Sequence, residues 1–323
     1  MKSAILIEMI EQNGQHLDVV MPDKKGANPG ELLEYIRTNQ PALERILLDK
    51  GAVLFRGFGI GSQEEFLQVK QVFSGDSAFG YVDGNSPRTK LSAQVYTSTE
   101  YPKDYRISLH NEMSYSNKWP RLIFFYCQTP AAEGGETPIL DARLLLKELG
   151  ESIVEPFEKY GVRYTRYLTA SRGLGKGWKE TFDTPDKGVV EEYCRENEVD
   201  YRWDGDNLCL SQTGAGVAIH PVTNERVWFN QANQFHPSSL PDTFSAMLSK
   251  IHGTNRDKYP HYAYYGNGGE IDADVLKSIT EAQFDLSIKF PWQTGDVLML
   301  DNMLMEHGRM PFKGDRKILV SMC

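Results

Sequence analysis

Apolar positions change period twice within the first 75 residues. In PALERILLDK they recur at helical spacing, and with Pro41 able to open a helical turn and Gly51 to close the segment, residues 30–50 read as helix. GAVLFRGF, directly after, is a short continuous apolar run between glycines and reads as a buried strand. Ser62 and Glu65 then form a capping-box pattern ahead of the helix EEFLQVKQVF. Residues 107–141 read as strands around the aromatic run LIFFYC, with the turn-rich AAEGGETP after it. Asp141 caps a helix over ARLLLKEL that Gly150 ends. SRGLGKGWKETFDTPDKG is glycine-rich and polar, so residues 165–190 are expected to be a lid or insert. Short strands follow over 200–230, helices near 240–252 and 272–283, and the strands VLML and KILVSM close the chain.

This order has no repeat, linker or low-complexity tract. It predicts one domain over 1–323, mostly β with helical decoration around a barrel or jelly-roll core. A net charge of -9 without a long Lys/Arg block argues against a nucleic-acid or anionic-membrane partner. No apolar run approaches membrane-spanning length, and the N-terminus lacks the features of a signal peptide. The four cysteines, Cys127, Cys194, Cys209 and Cys323, contain no CxxC pair and are expected as free thiols. A cytoplasmic protein is the expectation.

Candidate chemistry centres on His110 and Glu112 in SLHNEMSYS and on His307 in MLDNMLMEHGRMPF. Two imidazoles and one carboxylate are the ligand set of a mononuclear non-haem iron(II) site. In an extended segment, residues 110 and 112 would point to one face. The spacing alone is weak. With 7 histidines and 44 acidic residues in 323, about one His-x-acid pair arises by chance. A second, His16 and Asp18, does occur, near a polar N-terminus with no apolar strand around it. At this level a buried histidine bonded to a neighbouring carboxylate explains His110 and Glu112 as well as a metal does. His220, His236, His252 and His261 read as packing or surface residues.

HNE, GGETP and HGR…GDR, in that order, resemble the TauD/TfdA-type iron(II)/2-oxoglutarate oxygenases of the clavaminate synthase-like superfamily. The resemblance runs from GAVLFRGF to the C-terminus. YTSTEYP, LHNEMSYS, VWFNQ and HGRMPF resemble the SyrP-like branch, which oxidises amino-acid groups in peptide natural-product pathways. The resemblance implies a double-stranded β-helix (jelly roll) and iron(II) held by His110, Glu112 and His307. It also implies 2-oxoglutarate and dioxygen as co-substrates, with Thr137 and Arg316 binding the distal carboxylate of 2-oxoglutarate.

The implied reaction is hydroxylation, epoxidation or desaturation of an amino-acid-like substrate, free or on a peptidyl carrier protein, in natural-product or antibiotic biosynthesis. Glu112 stands where related iron halogenases have Gly or Ala, which disfavours chlorination. Taurine-oxidising relatives have a second arginine four positions after the co-substrate arginine. Here that position is Val320, so a small sulfonate lacks its partner. Glu100, Asn230 and Arg309 are candidate substrate contacts. The alternative is a non-catalytic metal-binding jelly roll that binds a ligand without redox turnover.

Overall fold

A computed structural model describes residues 4–80, 82–84, 88–92, 94–99, 101–170 and 175–323. The N-terminal segment forms a hairpin, β1 (Ile5–Gln12) and β2 (Gln15–Pro22), around Asn13 and Gly14, both at positive φ. His16 therefore does lie on a strand, contrary to expectation, with its side chain exposed. The predicted first helix is α1 (Pro29–Lys50). Pro41 sits inside it rather than opening it; the chain kinks at Asn39 and continues. Gly51, in the left-handed region at φ 76°, donates its N–H to Leu47 O at 2.8 Å and ends the helix. β3 (Ala52–Phe55) follows, and then α2 (Gln63–Ser74), whose capping box forms reciprocally between Ser62 and Glu65.

The middle of the chain alternates strands and helices: β4 (Tyr96–Thr97), β5 (Ile107–His110), β6 (Leu122–Thr129), β7 (Glu133–Gly134), β8 (Ile139–Asp141), α3 (Ala142–Glu148), α4 (Glu151–Tyr160) and β9 (Val162–Leu168). Asp141 caps α3 as expected, accepting from the Arg143 N–H at 2.8 Å. Gly150 precedes a helix the pattern did not show, α4, which carries Pro156 in its interior. The stretch expected as an irregular insert holds the end of β9, then α5 (Trp178–Thr181) and the start of α6 (Lys187–Glu196). Trp178 and Phe182 are buried there with Val190, Cys194 and Leu208, a satellite core; residues 171–174 lie outside the described residues.

The remaining elements are β10 (Asp200–Asp204), β11 (Asn207–Gly214), β12 (Val217–Ile219), β13 (Arg226–Trp228), α7 (Ala232–Phe235), α8 (Asp242–His252), β14 (His261–Tyr265), α9 (Ala273–Leu286), β15 (Val297–Asp301), β16 (Met305–Arg309), β17 (Phe312–Lys313) and β18 (Lys317–Met322). With nine α-helices among the described residues, the molecule is mixed α/β with several sheets rather than mostly β. The pattern underestimated its helical share because α4, α5 and α6 are short and lie in polar sequence. All four cysteines are free, and no helix among the described residues is long and apolar enough to cross a membrane.

Seven strands form the main sheet in the order β1-β2-β3-β15-β6-β18-β4. Strands distant in sequence lie side by side here, and β2 pairs with β3 in parallel while the sheet's other described pairings are antiparallel. Side-chain alternation sorts LIFFYC between two cores. Leu122, Phe124 and Tyr126 face α1 and α2, together with Val297 and Met299 of β15. Ile123, Phe125 and Cys127 face the opposite core with Leu298 and Leu300. Burial on both faces explains the unbroken apolar run. Each such side chain contributes about 1.5–3 kcal/mol by leaving water. Arg56, directly after β3, makes a bidentate pair with Asp296 ahead of β15, at 3.0 and 2.7 Å.

A three-stranded sheet, β5-β16-β8, carries the candidate chemistry. It packs on the inner face of the main sheet, where the His307 ring lies 5.1 Å from that of Phe125. A four-stranded sheet, β10-β11-β9-β14, carries the satellite core.

Candidate metal centre

β5 and β16 pair antiparallel with His110 directly opposite His307, and their ring centroids are 4.5 Å apart. The pairing shifts register after His307, where Gly308 passes close to the backbone of Ile107 and Leu109. α9 secures this pair: Gln283 Nε2 donates to Leu109 O on β5 at 3.1 Å and to the Glu306 carboxylate on β16 at 2.9 Å. His110 Nδ1 lies 2.9 Å from Ser108 O; in the tautomer that carries its proton on Nδ1, Nε2 is the ligand atom. Gln234 of α7 lies against the same two atoms, at 2.9 Å from Ser108 O and 2.8 Å from Nδ1.

Glu112 reaches the site by a different route from the one expected. β5 ends at His110, and Glu112 sits in the turn after it, just before Met113 at φ 57°. Strand alternation therefore does not aim its carboxylate. Asn302, in the turn between β15 and β16, does so by clamping the backbone. Its Oδ1 accepts from the Glu112 N–H at 2.7 Å, and its Nδ2 donates to Glu112 O and Pro120 O, both at 2.9 Å. Asn111 returns a bond to Asn302 O at 2.6 Å, and Gln231 Nε2 donates to Asn111 O at 2.5 Å.

The result is a single convergent cluster. The ligand atoms of His110, Glu112 and His307 all lie within 4.8 Å of one another, and all three residues are buried. His307 Nε2 is 3.9 Å from Glu112 Oε2, while its Nδ1 is buried without a hydrogen-bond partner among the described residues. Burial holds both imidazoles below their ordinary range; His110 and Arg88 add to this at His307. Neutral imidazoles beside a carboxylate are the protonation states that bind a divalent metal. The donor set and its convergence fit iron(II). His16 and Asp18 take no part: His16 is exposed, and Asp18 pairs with Lys50 at 2.7 Å.

Thr137 and Arg316 open onto the same pocket as His110 and His307. Thr137 lies between β7 and β8, and Arg316 directly precedes β18. Arg316 donates to Gly135 O at 2.8 Å, to Ser98 Oγ at 3.3 Å and to Thr137 Oγ1 at 3.3 Å. Gly135 is at φ 74°, and a Cβ there would come within 3.0 Å of Arg316 Cδ, so the GGETP glycine makes room for the guanidinium. Burial, with Arg309 nearby, brings the Arg316 pKa down to about 10. It remains a cation at neutral pH, in surroundings that favour an incoming anion.

Other candidates are placed differently. Arg309 borders the pocket, but its guanidinium holds a loop, donating to the carbonyls of Tyr101, Pro102 and Tyr105 at 2.7–2.8 Å. Asn230 is not brought to this pocket. Its amide donates to Gly216 O at 2.8 Å and accepts from the Ala232 N–H at 3.1 Å, which is a turn role. Glu100 lies outside the described residues. Val320, where a sulfonate-reading arginine would stand, is fully buried in β18. His220 bonds to Asp301, and His236 to Tyr262 and Ser238.

Sequence reasoning missed Arg88, which borders the pocket and pairs with Glu112. It also missed Asn302, Gln231, Gln234 and Trp292. Asn302 and Trp292 left a trace as polar or amphipathic residues flanking the strand that leads to His307, and Gln231 as the last residue of VWFNQ.

The comparisons with known proteins agree with this geometry. Residues 16–323 match the family described as taurine catabolism dioxygenase TauD, TfdA family. The chain is 38% identical over 282 residues to the dapdiamide synthesis protein DdaC of Enterobacter agglomerans, covering 87% of this chain and 84% of that one. It is 32% identical over 297 residues to the clavaminate synthase-like protein At3g21360 of Arabidopsis thaliana, covering 89% and 86%. Among solved structures it is similar to PvcB of Pseudomonas aeruginosa, with TM-score 0.55, 14% identity and coverage of 98% and 90%. AAD-2, solved with Mn(II) and N-oxalylglycine, gives TM-score 0.51, 14% identity and coverage of 99% and 96%. The chain belongs to the TauD/TfdA family of Fe(II)/2-oxoglutarate-dependent oxygenases, with His110, Glu112 and His307 as its facial triad.

Proposed function

We propose that this enzyme oxidises a small amino-acid-derived substrate, free or presented on a carrier protein, in natural-product biosynthesis. One observation carries the reading: the triad histidines share a pocket with the Thr137–Arg316 pair. Similarity to a dapdiamide synthesis protein supports the natural-product setting. The β5-β16-β8 sheet packed on the main sheet supports a jelly-roll core, with the site between its walls. Four free thiols and an iron(II) site suit a reducing, cytoplasmic compartment.

Bound iron(II), with 2-oxoglutarate and dioxygen, would supply the oxidising equivalents, giving succinate and carbon dioxide as co-products. His110, Glu112 and His307 would hold the metal on one face and leave the others open. Arg316 would pair with the distal carboxylate of 2-oxoglutarate, and Thr137 would add a hydrogen bond to it. Phe125 and Ile318 supply apolar wall beside the histidines, which limits water at the reacting carbon. Glu112 fills the position a halide would need, so hydroxylation, epoxidation or desaturation is favoured over halogenation.

The test is anaerobic loading with iron(II) and 2-oxoglutarate, then air and a panel of free and carrier-tethered amino acids in chloride buffer. Succinate and products are followed by mass spectrometry. Iron-dependent succinate release with an oxygenated or desaturated product supports the proposal. Absence of succinate would favour a ligand-binding role, and a chlorinated main product would overturn the assignment to Glu112.

A further inference from the structure

Thr137 is 2% exposed, and its hydroxyl oxygen receives two hydrogen bonds, from Trp292 Nε1 at 3.1 Å and from Arg316 Nη2 at 3.3 Å. A hydroxyl offers two lone pairs and one proton, whereas indole and guanidinium N–H groups only donate. With both lone pairs engaged, the Thr137 proton has to be given to a third group. Among the described residues Thr137 Oγ1 donates to none, and the residue opens onto the pocket of the triad.

We propose that Trp292 is a positioning residue that makes Thr137 an obligatory donor to the distal carboxylate of 2-oxoglutarate. The inference rests on the reading of Thr137 and Arg316 as the co-substrate pair. Trp292 suits this role because its indole can only donate. A Ser, Gln or Tyr in its place could accept the Thr137 proton and turn the hydroxyl away from the pocket. The indole is itself fixed. It is 7% exposed, and its ring packs edge-on against Phe290 with centroids 5.2 Å apart. The two N–H groups that Arg316 keeps beyond its bonds to Gly135, Ser98 and Thr137, together with the Thr137 hydroxyl, would then meet the anionic end of the co-substrate.

The experiment uses the iron(II)-loaded full-length protein under nitrogen. The dissociation constant for 2-oxoglutarate is read from the visible charge-transfer absorption of the complex. Trp292→Phe removes the N–H. Replacing Trp292 by 3-benzothienylalanine removes the N–H while keeping ring size, so packing and hydrogen bonding are separated. Loss of one such bond is expected to weaken 2-oxoglutarate binding roughly five- to tenfold in both variants. KM for 2-oxoglutarate should rise with little change in kcat. In a Thr137→Val background the Trp292 replacement should add little, because both changes remove the same directed bond. Unchanged binding in the benzothienyl variant, or full additivity with Thr137→Val, overturns the inference. A wild-type protein that forms no 2-oxoglutarate complex overturns the co-substrate reading itself.

Discussion

Gly308→Ala should damage the metal site through the backbone, without touching a ligand. Gly308 sits between His307 and Arg309, where β16 crosses the register shift against β5. A Cβ at 308 would stand 2.6 Å from Ile107 O, 3.3 Å from Leu109 N and 3.4 Å from Leu109 Cα. All three are backbone atoms, so no side chain can rotate out of the way. The closest contact is about 0.8 Å short of the 3.4 Å at which ordinary contact begins, and the two strands have to part by that order. His110 and His307 lie opposite each other on those strands. Metal–ligand distances tolerate only about ±0.2 Å. The expected outcome is a stability loss of about 1–3 kcal/mol from overpacking. Metal affinity should fall about 10- to 100-fold, as when groups that orient ligands are removed. Chemical denaturation measures the first, and anaerobic iron(II) or manganese(II) titration the second. Gly266→Ala is the control, since its Cβ would overlap the Tyr160 carbonyl oxygen, where α4 meets the end of β14. It should lose stability yet keep its metal affinity. Wild-type metal affinity in Gly308→Ala, or equal weakening in Gly266→Ala, would refute the reasoning.

Three further outcomes follow from the same geometry. Asn302→Ala leaves the Glu112 N–H, Glu112 O and Pro120 O without their partner. It should cost about 3 kcal/mol in denaturation and weaken metal binding as the Glu112 turn loosens, whereas unchanged metal affinity would remove Asn302 from the aiming of Glu112. Burial, with Arg256 nearby and Glu270 opposing, lowers His236 from 6.5 to about 4. The unfolded chain therefore takes up the proton first, so the contribution is full above pH 6.5 and is lost as pH falls toward 4; it amounts to at most about 2 kcal/mol between pH 6.5 and 5, since solvent screens part of it. His236→Gln should flatten that slope in denaturation series, and an unchanged slope would exclude His236 as its source. Iron(II) or manganese(II) at 100 times its dissociation constant should stabilise the fold by about 2.7 kcal/mol, reversed by a chelator; a His307→Ala variant should show much less of this shift at the same metal concentration.

Much of the local structure was legible along the chain. Where one element carries its own signals, reading and structure agree: the Ser62–Glu65 capping box, the Asp141 cap, the glycine stop at residue 51 and the doubly buried runs LIFFYC and VLML. These signals are local, set by the period of side chains and by the unsatisfied groups at helix ends. Elements without an apolar face of helical length were missed. α5 spans four residues in a glycine-rich stretch, and α4 contains a proline; burial of Trp178 and of Phe157 holds them in place.

The same division runs through the site. Residue types and spacing named His110, Glu112 and His307, because coordination chemistry needs those donors and the motif order is specific. How Glu112 comes to face the histidines was not legible. The backbone that carries its carboxylate is held by Asn302, 190 positions away along the chain, and the carboxylate itself meets Arg88; strand alternation supplies neither contact. Asn230 and Arg309 looked like substrate contacts for the converse reason, since polarity in an aromatic context does not reveal that backbone carbonyls already take their donors. Donor type is a property of each residue and can be read one position at a time. Direction belongs to pairs of residues that meet only when β5, β15 and β16 are packed together, so the aim of every ligand and the partner of every amide were decided by the tertiary structure.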